Sequence, residues 1–328
     1  MGIDVLYAIA FSIAFLWAMF MIWVATRDNP LSVFFKAIIS AVSGKYRRYV
    51  FFLILLLIID LTETYFDPRI TEIIGRDYTD LFAALEGRIL SAIQLEDLLL
   101  SSYFSFFYVI VHSCLFVVTP IVLMYEGKKR EIFCLTVGLY LCYIVALPFY
   151  LLFPVLSPWS VDYIHVRQLM SDVHPLLKKL LNPAQSPDNC FPSLHVAHCT
   201  FMAMISMFSG LRAFGILMIF SATSIVLSTF YLGVHWLLDV AAGIFLSTMV
   251  FLVVRYISEG MEEEESLKEM SLKEVIRGIR EALPRFDLRS FREQEGKIRY
   301  GFQVGRGDKK WRPQRESNPC HSLERAVS

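Results

Sequence analysis

Long apolar stretches separated by short polar ones run through most of the chain. Val5–Ala25, Tyr49–Thr62, Tyr103–Tyr125, Ile132–Leu152, Leu194–Ser209, Ala213–Gly233 and Trp236–Ile257 carry almost no charge. Most approach the roughly 20 residues that a membrane-crossing helix needs. Tyr49–Thr62 reaches that length only by continuing to Phe66, and it holds Asp60 near its end. Leu31–Ser43 is apolar but short and contains Lys36, which predicts an interfacial or re-entrant helix. Between Glu63 and Leu100, Ile70, Ile73 and Ile74, then Leu81, Phe82 and Leu85, recur at helical spacing. That pattern predicts amphipathic helices on the membrane surface. Phe153–Phe191 is rich in proline and predicted to be mostly irregular. From Glu259 to about Leu283 the pattern becomes that of a solvated amphipathic helix, which Pro284 breaks. The predicted class is an all-α, polytopic membrane helix bundle of six to seven spans with a C-terminal tail.

Composition agrees and adds a division. The 328 residues are 55% hydrophobic and 19% charged, against about 45–50% and about 25% in ordinary soluble chains. The net charge is zero, but residues 258–328 hold 15 Lys/Arg and 14 Asp/Glu. This excludes a uniform soluble globule and a basic nucleic-acid binder. The chain reads as N-terminal spans over 1–99, a membrane core over 100–257 and a charged tail over 258–328. Within the tail, the stretch from Trp311 to Arg325 shows no burial pattern and resembles peptides made when a reading frame runs into a transfer-RNA gene. Met1–Asp4 supply no positive region before the first span, so a cleaved signal peptide is not expected. With the N-terminus outside, the short inner segments 26–48, 126–131 and 210–212 hold nine Lys/Arg, against six in the outer loops 63–100 and 153–193. The bias predicts a multi-pass protein of the cell membrane whose two long loops are extracytoplasmic and whose tail is cytoplasmic.

Candidate chemistry gathers at the outer ends of the later spans. The cysteines Cys114, Cys134, Cys142, Cys190, Cys199 and Cys320 are scattered without a CxxC pair, so neither a zinc site nor a disulfide framework is expected. Cys190 lies on the outer side with no evident partner, and Cys320 and His321 are given no role. His165, His174, His195, His198 and His235 all fall on the outer side or at outer span ends. The spacings His195/His198 and His235/Asp239 suit a metal, but no second carboxylate lies near, so no metal and no cofactor are expected. Two segments stand out: Cys190-Phe191-Pro192-Ser193-Leu194-His195, and Ser228 through Asp239. Proline fits the first turn of a helix, which puts Ser193 and His195 beside its unpaired N–H groups. His235 and Asp239 are one turn apart, so the carboxylate can hold one ring nitrogen and leave the other to attack. Both helices would start on the outer side, where their N-termini favour a phosphate. Each feature also has a plainer reading. His235–Asp239 could be a polar interfacial pair, Pro192-Ser193 a cap, His198 a packing residue, His112 a bond to a neighbouring helix, and Asp60 an ion-pair partner or a helix end.

Taken together, the two segments resemble the type 2 phosphatidic acid phosphatase superfamily, whose second motif is Pro-Ser-x-His and whose third is Ser-Arg-x5-His-x3-Asp. Pro192-Ser193-Leu194-His195 matches the second; Ser228 through Asp239 matches the third in spacing, with Thr229 at the arginine position. Cys-Phe-Pro-Ser-Leu-His is most similar to the inositol phosphorylceramide synthase branch, as is the stretch Phe153-Pro154-Val155-Leu156-Ser157-Pro158-Trp159. The resemblance covers roughly residues 100–257. It implies that His235 is the nucleophile that becomes a phosphohistidine, that Asp239 orients it, and that His195 protonates the leaving oxygen. It also implies that Ser193 binds phosphate and that no metal takes part.

The family's first motif, Lys-x6-Arg-Pro, is missing, since no Lys or Arg occurs between Glu131 and Val166. With Thr229 in place of arginine, the usual phosphate clamps are gone, although charge neutralisation is a large part of phosphoryl transfer. Arg69, Arg76, Arg88, Arg167, Lys178 and Lys179 are the outer cations that could substitute; Arg167, after the proline-tryptophan stretch, is the preferred one. Substrate binding is therefore assigned to Ser193, Thr229 and Arg167. The expected function is a membrane phosphotransferase or phosphatase acting on a lipid phosphate or phosphodiester among membrane lipids, with no nucleic-acid partner; the oligomeric state stays open. The alternative is a transporter or scaffold that keeps the helical frame without catalysis.

Overall fold

In the computed structural model, residues 3–74, 77–174, 177, 189–259 and 277 are described. Nine long helices organise them, beside a single turn at Met170–Val173: α1 (Ile3–Thr26), α2 (Pro30–Val42), α3 (Arg47–Ile74), α4 (Thr79–Ile93), α5 (Leu98–Tyr125), α6 (Lys129–Leu152), α7 (Leu194–Phe208), α8 (Arg212–Tyr231) and α9 (Leu237–Glu259). The described residues contain no strand, only an isolated bridge between Val155 and Asn189. The predicted tail helix from Glu259 to Leu283, its break at Pro284 and the last stretch lie outside the described residues.

Tyr7–Thr26 and the whole of α5, α6, α8 and α9 are long and apolar enough to cross a membrane. The chain is thus an all-α helical bundle of membrane-embedded character, as expected. Two of the expected spans need comment, α7 for its length and α3 for its end. α7 has 15 residues, about 22 Å at 1.5 Å per residue, shorter than a hydrocarbon core of about 30 Å. α3 does not end at Thr62 or Phe66 but runs 28 residues to Ile74. Ile70, Ile73 and Ile74 therefore continue the helix of the second apolar stretch, past Pro68, instead of starting a separate one. α2 forms where the short apolar stretch was seen. Asn29 caps it, its side chain accepting from Ser32 N, and Val33, Ala37 and Ala41 are buried.

α7 is the centre of the bundle and packs against α5, α6, α8 and α9. α1 and α2 lie on α5, and α3 lies on α6. Phe201, Met202, Leu135, Leu115 and Ile225 are completely buried in the shared core. The helix flanks are different: Phe11, Leu16, Phe35, Phe51, Ile216, Phe245 and Leu252 are all more than half exposed. A large apolar exterior around a packed interior is what a lipid environment accommodates, because hydrocarbon does not penalise it as water would.

The contact between α7 and α9 is close because residue 243 is glycine. A Cβ there would stand 2.6 Å from the Ser193 carbonyl and 3.0 Å from Val196 Cβ. Gly243→Ala must therefore push the two helix starts apart. The expected cost is about 1–3 kcal/mol, read as a lower midpoint of thermal unfolding in detergent, with activity falling as well. An unchanged midpoint would mean that the two helices do not meet at this residue.

Candidate active site

The start of α9 is built from its own sequence and from α4. Asp239, in the first turn, reaches back so that Oδ2 accepts from Trp236 N at 2.8 Å, as in one half of a capping box. The same oxygen lies 3.4 Å from His235 Nδ1. Leu237 N and Leu238 N donate to the Glu86 carboxylate on α4 at 2.6 and 2.8 Å. These N-terminal amides, expected to help hold phosphate, are thus already bonded to carboxylates. The expectation of two open helix N-termini is corrected for α9, because an acidic side chain reaches the positive end first. The sign of Glu86 was readable in retrospect. Phe82, Glu86 and Leu90 share one face of α4 and all three are buried, so a carboxylate sat at a core position.

His235 is carried on a tight turn leaving α8. Val234 N and His235 N both donate to the Thr229 carbonyl, at 2.9 and 3.0 Å. Gly233 takes φ +75°, and a Cβ there would lie 2.6 Å from the Arg167 carbonyl, so only glycine fits this turn. Trp159 N donates to the Gly233 carbonyl at 3.0 Å, and Trp236 Nε1 donates to the Leu156 carbonyl at 2.9 Å. The proline-tryptophan stretch thus braces the turn from above. Thr229 acts in the turn through its carbonyl, while its hydroxyl donates to the Val226 carbonyl at 2.7 Å.

The start of α7 docks onto α9 through main chain. Ser193 is the N-cap: its Oγ accepts from Val196 N at 3.3 Å, and its own N–H donates to the Asp239 carbonyl at 3.2 Å. Tyr150 donates to the Pro192 carbonyl at 2.8 Å and holds the preceding residue. His195 follows, its ring 5.9 Å from that of His235 between centroids. Tyr108 stacks on His195 at 4.8 Å and 16°, and His112 lies against it at 4.5 Å. Tyr108 and His112 come from α5, where Phe106–Val111 form a π-helical turn, an irregularity frequent at functional sites. His112 was expected to bond a neighbouring helix. Instead its Nε2 is buried without a hydrogen-bond partner among the described residues, and its ring lies against His195 at a tilt of 31°. His198 fits its reading as a packing residue, edge-on to Phe116 at 5.4 Å.

The cations do not follow the histidines. The Arg167 guanidinium pairs with Glu96 at 2.7 Å and Asp172 at 2.9 Å, half exposed to solvent; these carboxylates hold it firmly protonated. Only its backbone touches the turn, through Gly233 and the Gln94 side chain. The preferred phosphate clamp is therefore occupied elsewhere, because two acidic neighbours outcompete a distant site. Arg88 is exposed, two residues from Glu86 and so on the opposite side of α4. The Arg69 side chain, Arg76, Lys178 and Lys179 lie outside the described residues. Cys190 does belong here, contrary to its reading as partnerless. Its Sγ lies 3.5 Å from the Val234 carbonyl and 3.3 Å from Ser157 Oγ. Cys190 Sγ, a His235 ring nitrogen and an Asp239 carboxylate oxygen are all within 4.8 Å of one another, and all three residues are buried.

Comparison with known families bears on the region that holds these residues. A family model described as the PAP2 superfamily matches residues 81–253, more than half of the chain. The chain belongs to the PAP2 superfamily. No curated protein and no solved structure matches it. The matched region begins inside α4 and so takes in Glu86 as well as both histidine segments. Membership brings a membrane phosphatase or phosphotransferase type of activity.

Glu86 gives this part of the site a direct test. Burial pushes its carboxyl up from the usual carboxylate range, and the two amide hydrogen bonds pull it partly back. Glu86→Ala orphans two N–H groups at about 1–3 kcal/mol each, so its unfolding midpoint and its activity should both drop. Glu86→Gln keeps an acceptor oxygen and should lose less than half as much. Since folding raises the carboxyl's value, its ionisation opposes folding. Its contribution is full below the unfolded value and lost as pH rises through the folded one. The stability of wild type relative to Glu86→Gln should therefore decline from acid toward neutral pH. A difference that grows with pH would contradict that burial.

Proposed function

We propose that this protein is an integral membrane phosphotransferase or phosphatase that acts on lipid-linked phosphate at the extracytoplasmic face through a phosphohistidine. The observation that carries the reading is the His235–Asp239 contact with His195 across from it. Asp239 Oδ2 faces Nδ1, so an Nδ1–H tautomer donating to it leaves the Nε2 lone pair as nucleophile. Nε2 forms an N–P bond as the bond from phosphorus to the lipid oxygen breaks, and His195 gives that oxygen its proton. In the second half, water or an acceptor alcohol attacks phosphorus, its proton returns to His195, and the N–P bond breaks. Ser193 contributes the capped first turn of α7 as an anion-favouring wall.

Similarity to the inositol phosphorylceramide synthase branch supports transfer to a lipid alcohol over hydrolysis. The Phe153–Trp159 stretch that carries this similarity is bonded to the turn and tryptophan around His235. Exposed Leu81, Leu85 and Ile89 on α4, the helix that supplies Glu86, suit an approaching lipid. The excess of Lys/Arg in residues 26–48, 126–131 and 210–212 supports an extracytoplasmic site and a cytoplasmic tail. A non-catalytic transporter or scaffold is the second reading, and the engagement of Arg167 by Glu96 and Asp172 favours it.

Purified protein supplied with labelled phosphatidate or a lipid phosphodiester should turn it over, be inhibited by vanadate, and carry acid-labile label on His235. His235→Ala should lose at least about a thousandfold, and EDTA should not lower the rate. Turnover undiminished in His235→Ala removes the phosphohistidine, and a folded protein inert toward both lipid classes favours the scaffold. Orientation has its own check. A Pro187→Cys label should react with an impermeant thiol reagent added outside intact cells; reaction only after permeabilisation inverts the topology.

A further inference from the structure

Cys190, His235 and Asp239 converge from three separate segments: the loop before α7, the turn after α8, and the first turn of α9. Sulfur, imidazole nitrogen and carboxylate oxygen are the three donor types that zinc takes together. Their nearest candidate atoms lie within 4.8 Å of one another. Tetrahedral bonds of about 2.0–2.3 Å place ligand atoms about 3.5 Å apart, so side-chain rotation of about an ångström closes the set. A second observation points the same way: Asp239 Oδ1 is fully buried and has no hydrogen-bond partner among the described residues. Oδ2 serves Trp236 N and faces His235, which leaves Oδ1 as the oxygen to offer.

The frame that would hold a metal is already rigid. Cys190 N donates to the Val155 carbonyl at 3.4 Å, and Trp236, between two of the ligands, is completely buried and bonded to Leu156. Gly233 and the Thr229 carbonyl fix the turn that carries His235. Cys190 is not otherwise used by the reaction, and a serine there would serve its contacts with Ser157 and Val234 equally well.

We propose that Cys190, His235 and Asp239 form an inhibitory site for a thiophilic divalent cation of the zinc type, with the fourth position left to water or a phosphate oxygen. Binding displaces the thiol proton to solvent and replaces the His235–Asp239 hydrogen bond by two metal bonds. The imidazole is then tied to the metal together with the carboxylate that orients it, and phosphoryl transfer stops. Thiolate in the set discriminates against magnesium and calcium, which prefer oxygen donors alone. The binding stands on the geometry; the inhibition rests on the phosphohistidine reading.

The experiment uses full-length protein in detergent, stripped with EDTA and desalted. Zinc is titrated in competition with a chromophoric chelator, and cobalt is titrated separately to observe a thiolate-to-metal charge-transfer band. Turnover of phosphatidate in mixed micelles is followed in parallel. Wild type should bind with micromolar or tighter affinity, show the cobalt–thiolate band and lose at least nine-tenths of its turnover, while millimolar magnesium has no effect. Cys190→Ser should weaken zinc at least a hundredfold, abolish the band and make its own rate, whatever its basal level, insensitive to zinc; Cys142→Ser should behave as wild type. Zinc affinity and band unchanged by Cys190→Ser would overturn the site, even with a rate that still depends on His235. Zinc bound through Cys190 without loss of turnover would keep the site and remove His235 as nucleophile.

Discussion

One aspartate ties the bundle to its chemistry. Asp239 closes the N-terminus of α9 through Trp236 N, faces His235 Nδ1, and through its main-chain carbonyl receives the N–H of Ser193. The first bond defines where α9 begins, the second orients an imidazole, and the third sets the start of α7 against it. A completely buried carboxylate is costly, the more so with Oδ1 left without a hydrogen-bond partner among the described residues, so the contacts that Oδ2 makes are not readily given up. Its location therefore constrains the helix starts as much as they constrain it. Gly243 makes the arrangement possible, since any side chain there would collide with the Ser193 carbonyl.

Around that junction the site is made of main-chain and neutral groups more than of cations. Glu86 fills the positive end of α9, and Arg167 is held by Glu96 and Asp172. What faces the space between the helix starts is imidazole: His195 and His235, with His112 behind. Such a site has less fixed positive charge than the family's motifs with lysine and arginine imply. Any phosphate bound there would meet the histidine rings and the first turn of α7. Low fixed charge also leaves room for a metal cation beside His235, which a ring of arginines would repel.

Much of the scaffold was legible along the chain because membrane helices obey a one-dimensional rule. Lipid provides no hydrogen bonds, so a crossing segment must satisfy its backbone internally and show an uncharged run. The runs that became α1, α5, α6, α8 and α9 follow it directly. α7 kept its expected bounds to within one residue, whereas α3 ran past its expected end, since end points depend on packing against neighbours as well as on local sequence. Leu81 and Leu85 point outward while Phe82 and Glu86 point inward. Helical periodicity marks an amphipathic helix, but the bundle chooses which face is covered.

The sequence by itself determined the all-α membrane class, the two histidine segments and the pairing of His235 with Asp239, because each depends on composition or on spacing within one helical turn. Only the tertiary structure decided what stands around them. Glu86 reaches α9 across 151 residues of chain and Cys190 reaches Val234 across 44. His112 meets His195 from another helix. Arg167 turns to Glu96 and Asp172 through competition among charges that no local pattern ranks. Spacing along a helix fixes neighbours one turn apart, whereas contacts between helices follow from close packing, where glycine and the nearest carboxylate determine what can approach.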